Sequence, residues 1–339
     1  VRVGLYDDPL FRAHDAGPGH PERPERLDAV RRGLRGLEDR FELKSPRPAS
    51  RDELTRVHTP PYVDLIAGTS GKTVRFDPDT QASPRSYEAA LLGSGAVADA
   101  VERVCAGELD RAFCLPRPPG HHAMADRAMG FCLFNHVAVG AAHALGLGLS
   151  RVAIIDFDVH HGNGTEAIFE EESRVLYVSS HAYPFYPGTG AIGDTGLGPG
   201  RGFTLNLPLP EGVGDGAYMG LYRGVVEPVV RAFDPELVLV SVGFDAHERD
   251  PLAGMRVSSR GFGALAGSCL RAASGSGKGR AVFVLEGGYD LDGISASSEA
   301  LGRVLLGETP PDVAISARDE AVVQDYRQHL APVWPCLAS

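Results

Sequence analysis

Short apolar runs recur along this chain at Ala112–Leu115, Val152–Ile155, Val175–Ser179, Phe203–Leu207, Leu237–Val242 and Ala281–Leu285. They are near-continuous rather than alternating, the pattern of strands buried on both faces of a parallel sheet. Between several of them lie stretches rich in Ala, Leu and Val, Tyr87–Cys105, Val137–Leu145 and Tyr218–Ala232, which predict helices. Alternating β and α segments over this length predict a mainly parallel sheet with helices on both faces. The opening residues, Val1 to Tyr6, read as a first strand and not as the apolar core of a signal peptide. No composition shift marks a linker and no segment repeats, so one domain over 1–339 is expected. Three loops rich in Gly and Pro, 7–26, 116–130 and 181–202, are long enough to carry function.

Composition narrows the class. The 339 residues are 43% hydrophobic and 23% charged, ordinary for a globular enzyme, and no run of eighteen apolar residues offers a membrane span. A net charge of −11 argues against nonspecific nucleic-acid binding and is compatible with cationic substrates. The five cysteines form no Cys-x-x-Cys pair and are odd in number, which fits reduced thiols and a cytoplasmic protein.

The densest chemistry follows the run at 152–155. Asp156, Asp158 and His160 are spaced two apart, and the chain then breaks at Gly162-Asn163-Gly164. Period two puts alternate side chains on one face of an extended segment. Two carboxylates and an imidazole therefore converge at the carboxyl end of a strand, where open α/β sheets place their ligands. A lone Asp-x-His more often caps a helix; Asp-x-Asp-x-His-His after a buried strand favours a divalent metal. Other runs also end in chemistry. Arg117-Pro-Pro-Gly-His121-His122 delivers two histidines from a rigid loop, candidates for acid–base work. Gly243-Phe-Asp245 adds a carboxylate, which could instead cap a helix, and Glu286-Gly-Gly-Tyr289 swings a tyrosine off a strand end. Phe131 and the Phe185-Tyr186 pair offer aromatic walls for a narrow pocket. Two glycine-rich matches carry no such signal. Gly188 to Gly193 fits G-x-G-x-x-G but lacks the abutting strand and helix, and Ser274 to Gly279 lacks the first Gly and the Ser/Thr of a phosphate loop.

Taken jointly, Arg117–His122, Gly130–Asn135, Asp156–Gly164, Gly243–Ala246 and Glu286–Tyr289 resemble the zinc-dependent histone deacetylase family, which includes acetylpolyamine amidohydrolases and bacterial deacetylase-like amidohydrolases. The resemblance runs in order over roughly residues 1–308. It implies the arginase–deacetylase fold, a single parallel eight-stranded sheet between helical layers, with the tail 309–339 adding a helix around Asp319–Leu330. It implies Asp158, His160 and Asp245 as ligands of zinc, a set that suits ferrous iron as well. Two carboxylates and an imidazole leave a divalent ion formally neutral, a weaker Lewis acid than an all-histidine site, so further groups are expected around it. By the same resemblance Tyr289 donates to the oxyanion, His122 is the general base, and His121 is its electrostatic partner and candidate acid. Asp156 orients His121 and, with Ser179, resembles the ligands of an internal K+ or Na+. Asn163 stands beside His122 where some relatives carry Asp; an Asn there resembles the class II branch, and it can fix the tautomer without adding charge. His136 is expected to pack or to support the site.

The implied reaction is hydrolysis, through metal-activated water, of an acetyl or related acyl group on an acetylated lysine side chain or a small acetylated amine, with no nucleic-acid or membrane partner. Phe131 and Tyr186 resemble the aromatic pair around a linear alkyl stem, and the Gly130 carbonyl would accept the substrate N–H. Asp79 would hold substrate backbone at the rim, an ordinary Asp turn being the other reading. Leu252 stands where polyamine-selective relatives place an acidic gatekeeper, which favours acetyl-lysine. Within the 14–26 loop, Glu22 is a candidate source of acidity at the mouth, and Arg26 resembles an arginine lining an internal channel, although a surface arginine fits as well. A catalytically dead binding module would be expected to lack Tyr289, a dyad histidine or a metal ligand, and all are present. An arginase-type binuclear hydrolase needs a second cluster of metal carboxylates, and the sequence offers one cluster.

Overall fold

The computed structural model describes residues 1–338. Its strands are β1 (Val3–Tyr6), β2 (Glu42–Lys44), β3 (Val74–Arg75), β4 (Gln81–Ala82) and β5 (Arg111–Cys114), then β6 (Val152–Asp156), β7 (Val175–Ala182), β8 (Thr204–Leu209), β9 (Leu237–Val242) and β10 (Ala281–Leu285). Eight of them form one sheet in the order β2-β1-β5-β10-β9-β6-β7-β8, every pairing parallel, while β3 and β4 form a small antiparallel hairpin. All six apolar runs are strands, and β6, β7, β9 and β10 are buried along their whole length. β2 was not visible as an apolar run because its residues, Glu42-Leu43-Lys44, lie at the open edge and are not buried.

The helices are α1 (Glu25–Leu34), α2 (Arg51–Thr55), α3 (Pro60–Ala67), α4 (Ser86–Cys105), α5 (His136–Gly146) and α6 (Asn163–Phe169), followed by α7 (Asp215–Leu221), α8 (Glu227–Phe233), α9 (Ser259–Ala272), α10 (Leu291–Leu305) and α11 (Ala317–Leu330). Side-chain caps set several starts: Asn135 on α5, Ser258 on α9 and Asp290 on α10 each accept a backbone N–H of the first turn. The single helix expected over 218–232 is instead α7 and α8 joined by a π turn at Tyr222–Val226. Pro228 has no N–H to give the carbonyl four residues back, so the winding changes just before it. Helix α10 packs between α1 and α9, and α4 and α5 lie against the central strands. The tail helix α11 lies on α7, tied down by Tyr326, which donates to the Pro208 carbonyl, and by Trp334 Nε1, which donates to Gly202 at 3.1 Å.

The strand order decides where the chemistry falls. Strands β5, β10, β9 and β6 are consecutive in the sheet, and each is followed by one of the polar segments singled out in the sequence.

Candidate active site

β6 and β9 pair in register, Asp156 opposite Ser241, so the segments that leave them run side by side. Asp158 and His160 from one and Asp245 from the other present donor atoms that all lie within 4.8 Å of one another. The His160 imidazole faces both carboxylates, Nδ1 lying 3.1 Å from Asp158 Oδ1 and 3.2 Å from Asp245 Oδ2. Backbone amides hold the acids in place: Val159 N–H donates to Asp245 at 2.9 Å and Gly287 N–H to Asp158 at 2.8 Å. Residue 287 must be glycine, because a Cβ there would collide with both carboxylates. Burial alone would lower the His160 pKa, but Asp158 and Asp245 push it up to about 10. The donor set is thus a buried anionic hole, and its two carboxylate oxygens and one imidazole nitrogen fit a divalent transition metal.

Beside it stands the histidine pair from the loop after β5, ring centroids 4.0 Å apart. His121 Nδ1 lies 3.0 Å from Asp156 Oδ2 and His122 Nδ1 lies 2.8 Å from Asn163 Oδ1. Asn163 directs its amide N–H groups toward the sulfurs of Met124 and Met129, so its oxygen is the atom left to face His122. Burial lowers His121, yet the nearby Asp158 and Asp156 carboxylates raise it to about 10. Burial, then the proximity of His121 and His160, pushes His122 well below the usual imidazole value. The two rings are therefore set to opposite protonation tendencies, the separation wanted of an acid and a base.

Tyr289 comes from the loop after β10, its ring in a T-shaped contact with Phe131 at 6.1 Å and under the Arg26 guanidinium at 5.0 Å. Burial holds its hydroxyl well above the usual phenol pKa, which keeps it a donor. Its backbone N–H is fixed by Asp250 Oδ2 at 2.7 Å.

These groups lie at the base of a cleft of about 350 Å³. Gly130, Phe131, Tyr186, Leu252 and Asp79 all line it. Tyr186 meets the His122 ring edge-on at 5.2 Å, Phe185 stacks on His160 at 5.4 Å, and Leu252 is 36% exposed at the rim. Ser179 pairs with Asp156 across β6 and β7, with its hydroxyl 2.9 Å from His181 Nδ1.

Three readings change. Glu22 cannot supply acidity at the mouth: it is fully buried, gripped by Arg117 at 2.5 and 2.8 Å and by Arg26 at 2.8 Å. Arg26 is 1% exposed and not a surface residue; it donates to the carbonyls of Glu286 and Gly288. A second group of two carboxylates and a histidine does exist, Glu53, Glu102 and His143. It went unseen because α2, α4 and α5 bring its members together from distant positions. His136 is fully buried, bonded to Ser94 and the Pro118 carbonyl at 2.9 and 3.0 Å, so it buttresses the loop that carries the histidine pair. The sequence reading gave no role to Glu286, Asp250 or Thr80. Glu286 accepts the Gly120 and His121 N–H groups at 2.7 and 3.1 Å; its place in Glu-Gly-Gly-Tyr was the available signal.

A parallel α/β sheet thus carries an acid–histidine cluster, a histidine pair and a tyrosine at the ends of four adjacent strands, an arrangement that suits a divalent ion and acid–base chemistry. Comparison with known proteins narrows it. The histone deacetylase domain model matches residues 20–305, and the chain belongs to that family. It is 39% identical to a protein named probable deacetylase from Archaeoglobus fulgidus, over 98% of this chain and 99% of that one. It is also 39% identical to histone deacetylase 5 of Arabidopsis thaliana over 99% of this chain, which spans about half, 54%, of that longer protein. The crystal structure of the HDA15 HD domain superposes with a TM-score of 0.92 at 38% identity, covering 99% of this chain and 96% of that one. The fold is therefore the deacetylase fold.

Proposed function

We propose that the protein is a metal-dependent amide hydrolase that removes acetyl or related acyl groups from lysine-like amines, with 1–339 acting as one deacetylase domain. The observation that carries this reading is the convergence of Asp158, His160 and Asp245 at the base of a narrow cleft lined by His121, His122 and Tyr289. In this reading the three converging residues hold zinc or ferrous iron, and Asp156 and Ser179 contribute to a structural K+ or Na+ site. The chemistry supplied by the divalent ion when bound is polarisation of the amide carbonyl and acidification of a water molecule.

The chain's own groups supply the rest. Phe131 and Tyr186 hold the alkyl stem and exclude water from it. The Gly130 carbonyl accepts the substrate N–H and Asp79 holds backbone at the rim. His122, its Nδ1–H committed to Asn163, has Nε2 free to take a proton as water oxygen bonds to the acyl carbon. The Tyr289 hydroxyl donates to the oxyanion that forms. His121 is the acid: as the C–N bond breaks the leaving amine takes a proton, and acetate and free amine result. Leu252 cannot pair with a distant ammonium, so acetyl-lysine is preferred over acetylspermidine.

The test is a panel of acyl-lysine peptides and acetylpolyamines assayed with the purified protein, with metal analysis of the same sample. Acetate release from acetyl-lysine peptides with about one divalent ion per chain is the expected result. Preference for acetylspermidine would overturn the substrate assignment, and release from neither class would overturn the reading.

A further inference from the structure

We propose that Thr80 is a positioning residue for the substrate tunnel: its hydroxyl clamps the Gly130–Phe131 turn in the shape that forms the tunnel wall. This inference rests on the acyl-lysine reading above. The turn runs from Met129 to Cys132, closed by the Cys132 N–H donating to the Met129 carbonyl at 2.9 Å. Both central residues have positive φ, 56° at Gly130 and 70° at Phe131. Glycine takes that conformation freely, and at 130 a Cβ would run into the His122 ring. A bulky aromatic does not take it freely, and such a residue persists only where its surroundings over-determine it. Here they do. Phe131 N–H donates to Thr80 Oγ1 at 3.1 Å, and Thr80 is only 1% exposed.

Thr80 is itself held in place. Asp77 Oδ1 accepts the N–H groups of Asp79 and Thr80 at 2.8 and 2.6 Å, and the Thr80 carbonyl accepts the Phe76 N–H at 2.9 Å. His20 completes the clamp from the other side. Its ring meets Phe131 edge-on at 4.6 Å, its Nε2 lies 3.2 Å from the Asp79 carbonyl, and its Nδ1 accepts the Glu22 N–H at 3.0 Å. Phe131 and Gly130 both face the cleft, and the Phe131 ring abuts Tyr289. A turn released from Thr80 would move the alkyl-binding wall and the carbonyl that meets the substrate N–H, while the ion-binding residues and His122 keep their own supports.

Thr80→Val removes the acceptor and keeps the shape; Thr80→Ser keeps the acceptor and drops the methyl. The wall binds ground state and transition state alike, so Thr80→Val is expected to raise KM for an acetyl-lysine peptide about tenfold with kcat within about threefold. Metal content should match the unsubstituted protein, and Thr80→Ser should restore KM to within about twofold. Thr80→Ala repeats the test should the valine not fold. An unchanged KM in the valine or alanine variant, or a serine variant as impaired as the valine, overturns the clamp. The same peptide titrated calorimetrically into Tyr289→Phe protein, with and without Thr80→Val, reads affinity with turnover slowed. A tenfold loss there upholds the clamp even if the unsubstituted protein releases no acetate, a result that would count against the proposed reaction alone.

Discussion

Among the described residues, two places bring two carboxylates and a histidine within ligand distance, and one of them is left open to an ion. In the cluster of Glu53, Glu102 and His143, Arg47 already sits between the acids, 2.6 and 2.9 Å from Glu53 and 2.9 Å from Glu102. Arg56 donates to His143 Nδ1 at 3.1 Å, and His143 Nε2 lies 2.9 Å from Glu102. The positive charge such a group needs comes from the protein's own side chains. At the strand ends, Asp158 and Asp245 have neither Arg nor Lys as a salt-bridge partner among the described residues; they pair with His121 and His160. Convergence alone therefore does not define a metal site. The proposed site differs in being a buried negative hole that no guanidinium fills.

The largest expected effects test that distinction directly. Asp158→Ala should remove most bound divalent metal and essentially all turnover, whereas Glu53→Gln should leave metal stoichiometry unchanged. Metal analysis of both proteins reads the difference. Full activity in metal-free Asp158→Ala protein, or loss of metal on substituting Glu53, would break the comparison. Next comes the hydroxyl donor in the cleft, which the proposed reaction requires beside the cluster. Tyr289→Phe should keep fold and metal while kcat falls by roughly 10²–10³, the usual loss for one oxyanion donor. Normal turnover in that variant would make Tyr289 a packing residue.

Asp158 and His160 were legible in the sequence because they are local, two residues apart after a buried apolar run; Asp245 and Tyr289 also stand four residues or fewer from the end of such a run, but it was the family likeness that joined them to the cluster. The arginine-filled cluster was not legible, because Arg47, Glu53, Glu102 and His143 meet only when three helices pack. The same limit hid the supports of the active site. Arg117 reaches Glu22 across 95 positions and Arg26 reaches Gly288 across 262, and nothing in the spacing of either residue foretells the other. Glu22 was misplaced for that reason: a glutamate in a polar loop suggests an exposed rim, while two arginines hold it in the interior. The count of eight strands, in turn, was implied by the family likeness, while their order in the sheet was not legible at all, because apolar runs give strands without neighbours.

A smaller effect sharpens what the open cluster serves. Leu252→Glu should add a carboxylate at the rim and shift the kcat/KM ratio toward acetylspermidine by a factor of order ten, about 1.4 kcal/mol of charge pairing. Competition assays with the two substrates measure it. An unchanged ratio would mean that residue 252 does not choose the substrate.

The smallest expected effect belongs to the filled cluster and concerns stability. Burial raises the Glu53 pKa, but Arg47 and the Ser50 N–H outweigh it and hold the carboxyl down at about 2. The native state thus resists a proton that the unfolded chain accepts near the ordinary glutamate value. Stability from this pairing is full above that value and is lost as pH falls through it toward the native one, because over that window the unfolded state binds more protons. Arg47 is partly exposed, so solvent screening reduces the contribution to on the order of 1 kcal/mol. Urea midpoints at about pH 5 and pH 3 should therefore fall further for the unsubstituted protein than for Glu53→Gln, which has no proton to take up. Equal losses in the two proteins would show that Arg47 does not depress Glu53, and the electrostatic contrast between the two clusters would have to rest on the strand-end site alone.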